Sequence, residues 1–267
     1  MTSPLPDLPD LPDLPPALSY CHEGRCAILS LRRPAHRNRL HRDDLVALMA
    51  HFRAIEADPQ VQVVVLTAQV LPQRPVFCAG YHIGEHGQED PQATFEQVAD
   101  TLENLRPVTV CALNGSVYGG ATDLVLACDF ALGVQGMQAR MPAAALGLHY
   151  YPGGVSRFVS RLGLANAKRA FLGAQTFDAA EMQRIGFVQD IVPAAGHADA
   201  VQARVQQLLA LAPLALQSLK ASLNEIARGD FDPPRLRARM HMTQASQDFI
   251  GACPAFVEKR PPVFHGN

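Results

Sequence analysis

Two glycine-bearing segments set the tightest limits on how this chain can fold. Phe77-Cys78-Ala79-Gly80-Tyr81 and Asn114-Gly115-Ser116-Val117-Tyr118-Gly119-Gly120-Ala121 each follow an apolar run and each lead into a stretch of helical character. Glycine takes backbone dihedrals closed to other residues and leaves no side chain between an amide and whatever approaches it. A strand that turns at glycine into a helix start aims amide donors outward, because the first N–H groups of a helix have no partner inside it. Either segment alone reads first as a tight strand-to-helix turn with no ligand. Two of them in this order would supply two donors to one point, enough to polarise a carbonyl and hold the anion formed from it.

The surrounding pattern alternates. Apolar runs at 27–31, 61–67 and 108–113 read as strands, and 41–58, 91–104 and 121–127 as helices. The strands are continuous Val/Leu/Ile runs, as expected where helices cover both faces of a sheet. This predicts an α/β core. Beyond Val192 the pattern is helical throughout, at 197–212, 214–228 and roughly 236–250, with breaks at Pro213 and at Pro233-Pro234. Three regions result: a tail over 1–16, a core over 17–196 and a C-terminal helical region over 197–267.

At 267 residues the chain can bury a substantial core. Its net charge of −2 gives no global basic field for nucleic acid. No apolar run approaches the roughly 20 residues that span a bilayer, and the N-terminus lacks the charged start and apolar stretch of a signal peptide. We therefore expect a cytoplasmic protein without nucleic-acid or membrane partners. The cysteines, Cys21, Cys26, Cys78, Cys111, Cys128 and Cys253, show neither CxxC spacing nor a zinc-type cluster with histidine. They read as free thiols, and no metal ligands are assigned. Leu-Pro-Asp repeats three times over 5–13; proline at every third position fixes φ and removes donors. An extended, polyproline-like tail follows, either solvated or docked on a partner.

Taken in order, the motifs resemble the crotonase superfamily, the enoyl-CoA hydratase/isomerase-like proteins. The likeness spans about 20–266. It opens with Leu31-Arg32-Arg33-Pro34-Ala35-His36-Arg37-Asn38-Arg39-Leu40, similar to the family's first strand and its Arg-Pro-x-x-x-Asn-x-Leu turn. It continues through Val61-Gln62-Val63-Val64-Val65-Leu66-Thr67, Phe77-Cys78-Ala79-Gly80, Asn114-Gly115, Cys128-Asp129, Met141-Pro142, Gly153-Gly154 and Ala167-Lys168-Arg169-Ala170. The stretch 180–192 and the closing Ala255-Phe256-Val257-Glu258-Lys259-Arg260 complete it. The resemblance implies the family's ββα spiral, no bound cofactor, and an acyl-CoA thioester as substrate, with coenzyme A as part of it.

By the same resemblance, the two oxyanion-hole amides fall on Tyr81 and Gly120. Family hydratases use two acids on a water and on the carbon beside the thioester. The first corresponds to Asp123, one methylene shorter than the usual Glu and so withdrawn by roughly 1 Å. The second corresponds to Ala143, which carries no proton. Standard hydration and isomerisation are both weakened, because two carboxylates at one water normally divide the acid and base work. His149, Tyr150 and Tyr151 stand where some family members place extra catalytic groups. Either this cluster replaces the missing chemistry, with Asp123, His149 and Tyr150 catalytic, or the tyrosines fill the space left by Ala143, Ala144 and Ala145.

Phe256, Lys259 and Arg260 resemble family positions that hold CoA, often across a subunit boundary; a solvated basic C-terminus is the competing account. Arg33, Arg37 and Arg39 form a second basic cluster, of which one or two, with Arg37 as the candidate, face the nucleotide phosphates; a solvated loop is the competing account. The resemblance also implies a homotrimer or a pair of trimers. Two functions stand: an acyl-CoA enzyme with altered chemistry, or a CoA-binding homologue without catalysis.

Overall fold

The computed structural model describes residues 13–88 and 90–267. The described residues open with an antiparallel hairpin, β1 (Leu14–Cys21) and β2 (Cys26–Arg32), then helix α1 (Arg42–Ala57). Three similar units follow, each a strand, a shorter strand and a helix. They are β3 (Val63–Ala68), β4 (Val76–Cys78) and α2 (Phe95–Asn104); β5 (Val108–Leu113), β6 (Ser116–Tyr118) and α3 (Ala121–Ala127); and β7 (Phe130–Val134), β8 (Gln138–Arg140) and α4 (Pro152–Phe171). Then come β9 (Thr176–Asp178), α5 (Ala179–Arg184) and β10 (Asp190–Val192), and last α6 (His197–Leu209), α7 (Pro213–Arg228), α8 (Pro233–Gln244) and α9 (Gln247–Val257).

Each unit sends its first strand to one sheet and its second to another, which produces a spiral. The larger sheet runs β1-β2-β3-β5-β7-β10, parallel except at the hairpin, and the smaller runs β4-β6-β8-β9. The apolar runs have a direct structural reason. Along β3, Val64 and Leu66 face the main core, while Val63 and Val65 face a second cluster with Val205 and Leu208 of α6. With both faces covered, every position of a strand favours an apolar residue.

Helix α6 therefore packs on the sheet, although it falls within the stretch grouped above with the C-terminal helices. Strand β1 begins at Leu14, which pairs with Arg32, so residues 14–16 of the expected tail belong to a sheet strand. Residues 1–12 of that tail lie outside the described residues, and with them most of the Leu-Pro-Asp repeat.

Local differences from the sequence reading have local causes. Helix α2 starts at Phe95 because Thr94 caps it: the hydroxyl accepts from the Gln97 amide at 3.2 Å, and the Gln97 side chain accepts from the Thr94 amide at 3.0 Å. The helix expected over 236–250 is two helices, since the Ser246 hydroxyl accepts from the Phe249 amide at 3.1 Å and starts α9 afresh. Pro233 and Pro234 sit in the first turn of α8, where a missing N–H costs nothing. Helix α4 bends at Gly163, whose backbone is non-helical. The six cysteines are free. No helix among the described residues is long and apolar enough to cross a membrane.

Candidate active site

The two glycine segments meet. Gly80 follows β4 and Gly119-Gly120 follows β6, and these strands are parallel neighbours in the small sheet. Gly80 has φ +93°, and a Cβ there would lie 2.9 Å from the Tyr118 carbonyl oxygen and 3.3 Å from the Gly120 nitrogen. Only glycine permits that approach. Tyr81 bridges to Leu40 in a parallel register: the Leu40 amide donates to Gly80 O and the His82 amide to Leu40 O, both at 2.9 Å. That register turns the amide of Tyr81 away from Leu40. Gly120 is the N-cap of α3, and Phe95 covers it, with ring atoms 2.9 Å from where a Gly120 Cβ would stand. Tyr81 and Tyr151 flank Phe95, with ring centroids 6.1 and 6.3 Å away.

Asp123 lies in the first turn of α3, fully buried. Its carboxylate accepts from Arg157 Nε at 3.0 Å and from Nη2 at 2.8 Å, and also from the Tyr151 hydroxyl. Three of the roughly four acceptor positions of a carboxylate are thereby used. Arg157, itself buried, also reaches Asp100 at 2.8 Å and Glu103 at 3.1 Å on α2, and Arg228 of α7 joins Glu103 at 3.3 Å. Burial pulls the guanidinium of Arg157 down, but the hydrogen bonds and charge of Asp123 outweigh it and hold Arg157 above its ordinary value.

Tyr150 donates to the Tyr151 hydroxyl at 3.0 Å, and the two rings lie 4.1 Å apart. Burial, with the negative charge of Asp123 second, raises both phenols. They serve as neutral donors. Tyr150 also packs against Phe171 at 5.6 Å. His149 is an exposed residue, and the hydrogen bond recorded for it places Nδ1 2.8 Å from the carbonyl oxygen of Tyr150. Ala143 is buried in the main core, as is Tyr150.

Of the CoA candidates, Arg37 is nearest in connectivity to the glycine turns. Its backbone is left-handed, its side chain is exposed, and its carbonyl accepts from the Ala79 amide at 2.9 Å. Phe256, 85 % exposed, and Lys259 stand at the far end of α9, which packs on α8. The structure does not bring these two to Arg37 through any contact it records. Cys78 lies beside the first turn, donating to Asn38 O at 2.9 Å, and burial pushes its thiol up to about 12.

Two groups escaped sequence reasoning. Arg157 stands three residues after Gly154 in an ordinary helical position, and its role depends on carboxylates 34, 54 and 57 residues away. Phe95 carries no motif at all. A third cluster, His41, His82 and Glu85, joins the start of α1 to the turn after Tyr81.

The enoyl-CoA hydratase/isomerase family profile matches residues 22–267. The 2,3-dehydroadipyl-CoA hydratase of Escherichia coli (strain K12) is 27 % identical over 249 residues, covering 91 % of this chain and 96 % of that one. The crotonyl-CoA hydratase of Syntrophomonas wolfei is 26 % identical over 250 residues, covering 91 % and 95 %. The crystal structure of an enoyl-CoA hydratase/isomerase family member superposes with a TM-score of 0.84 at 25 % identity, over 94 % of this chain and 96 % of that chain.

Proposed function

The chain belongs to the enoyl-CoA hydratase/isomerase family of the crotonase superfamily, and from that premise we propose that it is an acyl-CoA thioester enzyme with chemistry altered from standard hydration. The observation that carries this reading is the meeting of the two glycine turns, 3.3 Å between a Gly80 Cβ position and the Gly120 nitrogen. In this reading the amides of Tyr81 and Gly120 bind the thioester oxygen and stabilise the enolate that forms when charge moves onto it. In an acyl-CoA the CoA sulfur is bonded to the acyl carbonyl carbon, so the carbonyl oxygen is the atom these two amides would receive.

The proton work is where the site departs from a two-acid hydratase. Ala143 offers nothing, and Asp123 is tied to Arg157 and Tyr151. A base must have a free lone pair within reach of its proton, and removing that pair from Arg157 would leave a buried charge uncompensated. In this reading Asp123 and Arg157 position Tyr151 and, through it, Tyr150, whose hydroxyls are the polar groups facing the acyl side. CoA phosphates are assigned to Arg37, and to Lys259 with Phe256 as an apolar cover, brought from a neighbouring subunit of a trimer or a pair of trimers. The solvent exposure of Phe256 and of Val257 supports that placement.

The second reading, a CoA-binding homologue without catalysis, is favoured by Phe95 over Gly120 and by the same ion pair on Asp123. One experiment separates the two. The purified protein is titrated with CoA and acyl-CoAs by calorimetry and incubated with an acyl-CoA panel read by mass spectrometry. Binding with turnover of any member supports the enzyme; binding with none supports the second reading, and no binding rejects both.

A further inference from the structure

His41 and His82 lie half-buried, 41 residues apart in sequence, at one carboxylate oxygen. His41 Nδ1 is 2.7 Å from Glu85 Oε1 and His82 Nδ1 is 3.2 Å from the same atom, with the imidazole centroids 4.8 Å apart. The other oxygen, Oε2, is held by the Arg42 amide at 2.8 Å, so the carboxylate cannot turn away from the rings. We propose that His41, His82 and Glu85 form a binding site for a divalent transition cation of the zinc class.

The donor set suits it. Two imidazoles and one carboxylate are ligands for zinc and its neighbours rather than for calcium or magnesium. Metal–ligand bonds of about 2.0–2.2 Å at tetrahedral angles place adjacent ligand atoms roughly 3.4 Å apart, and the two imidazole nitrogens already stand 2.7 and 3.2 Å from Glu85 Oε1. One ligand atom from each residue lies within 4.8 Å of the others, so small side-chain shifts close the triangle. On the open side is a cavity of about 420 Å³ lined in part by His41, Glu85, Asp13, Asp43 and Gln88, with room for a water or an anionic ligand to complete the coordination. Arg33 and Arg42 also border it, and their charge opposes a cation. Arg33 is already paired with Asp44 and Asp13, and Arg42 stands 3.6 Å from Asp43, which offsets that repulsion.

The competing arrangement is a carboxylate that merely bridges two imidazoles by hydrogen bonds. The difference matters to the neighbouring turn, because His82 follows Tyr81 directly and the Tyr81 hydroxyl donates to the Glu85 carbonyl at 3.2 Å. A bound cation would tie the start of α1 to that turn.

The test uses the full chain, stripped with a chelator and titrated with Zn²⁺ by calorimetry. One equivalent is expected, weakened at least about 10-fold in Glu85→Gln and in His41→Gln, since even an outer partner of a metal ligand is worth that much. His241→Ala, on an exposed helix, should bind as the parent does. Should His41→Gln fail to fold, imidazole ¹⁵N–¹H correlation spectra of the parent still decide, with Zn²⁺ expected to move His41 and His82 and no other histidine. Absence of binding, equal binding in Glu85→Gln, or shifts at other histidines would each overturn the proposal.

Discussion

Arg157 grips Asp123 with two parallel hydrogen bonds, at 3.0 and 2.8 Å, in a part of the protein where both side chains are almost completely out of solvent. Asp123, to which the proposed reading assigns the remaining ionisable acid, is thus held by a cation from α4. Breaking a buried pair strands a charge, at a cost of about 3–5 kcal/mol. Asp123→Asn and Arg157→Met should each lower stability by about that amount in urea denaturation. The double substitution should cost less than the sum of the two, because it removes the stranded charge. Additive losses would show that the pair is not coupled.

Crotonyl-CoA hydration should be very slow. In the proposed reading Ala143 stands in place of one acid, and the ion pair with Arg157 ties up the other, Asp123. A turnover number in the ordinary range of roughly 1–1000 per second, measured spectrophotometrically, would mean that another group does the proton work.

Gly80→Ala puts a methyl group 2.9 Å from the Tyr118 carbonyl oxygen on a backbone with φ +93°. A substitution at such a dihedral costs more than about 1 kcal/mol, and the turn must shift to relieve the contact. Acyl-CoA binding by calorimetry should weaken together with the melting temperature. Binding that persists at full strength would place the thioester elsewhere.

Acid sensitivity has an identifiable contributor in Glu225. Hydrogen bonds from Arg239, and then Arg235, outweigh its burial and lower it from 4.5 to about 2, joining α7 to α8. A depressed carboxylate stabilises the folded state above its unfolded value, and that contribution is lost as the pH falls from about 4.5 toward 2. Glu225→Gln should therefore be less stable than the parent at neutral pH, with the gap narrowing across this window in urea titrations. A gap constant with pH would remove Glu225 from the account.

Arg37→Ala, at an exposed left-handed position, should weaken CoA binding without changing the melting temperature, since its backbone carbonyl, not its side chain, meets Ala79. The loss should shrink at high salt, as expected for an exposed cation on phosphate. Unchanged affinity in low salt would assign the phosphates to other residues.

The α/β class and the place of the glycine turns were determined by the sequence alone, because these depend on short-range rules: a run such as Val63 to Leu66 must be covered on both faces, and a turn at Gly80 with φ +93° excludes a side chain. The order of the ordered motifs likewise carried the family. What tertiary structure decided was which of the chemically capable residues face one another. Asp123 and Arg157 are 34 residues apart, His41 and His82 are 41 apart, and no spacing rule links either pair. Their meeting depends on how α1, α3 and α4 settle around two sheets, a result of summed packing over the whole core. The exposure of His149, one residue from the buried Tyr150, has the same origin. Neighbours in sequence can be sent to opposite sides of a surface, and only the packed fold settles which side each one takes.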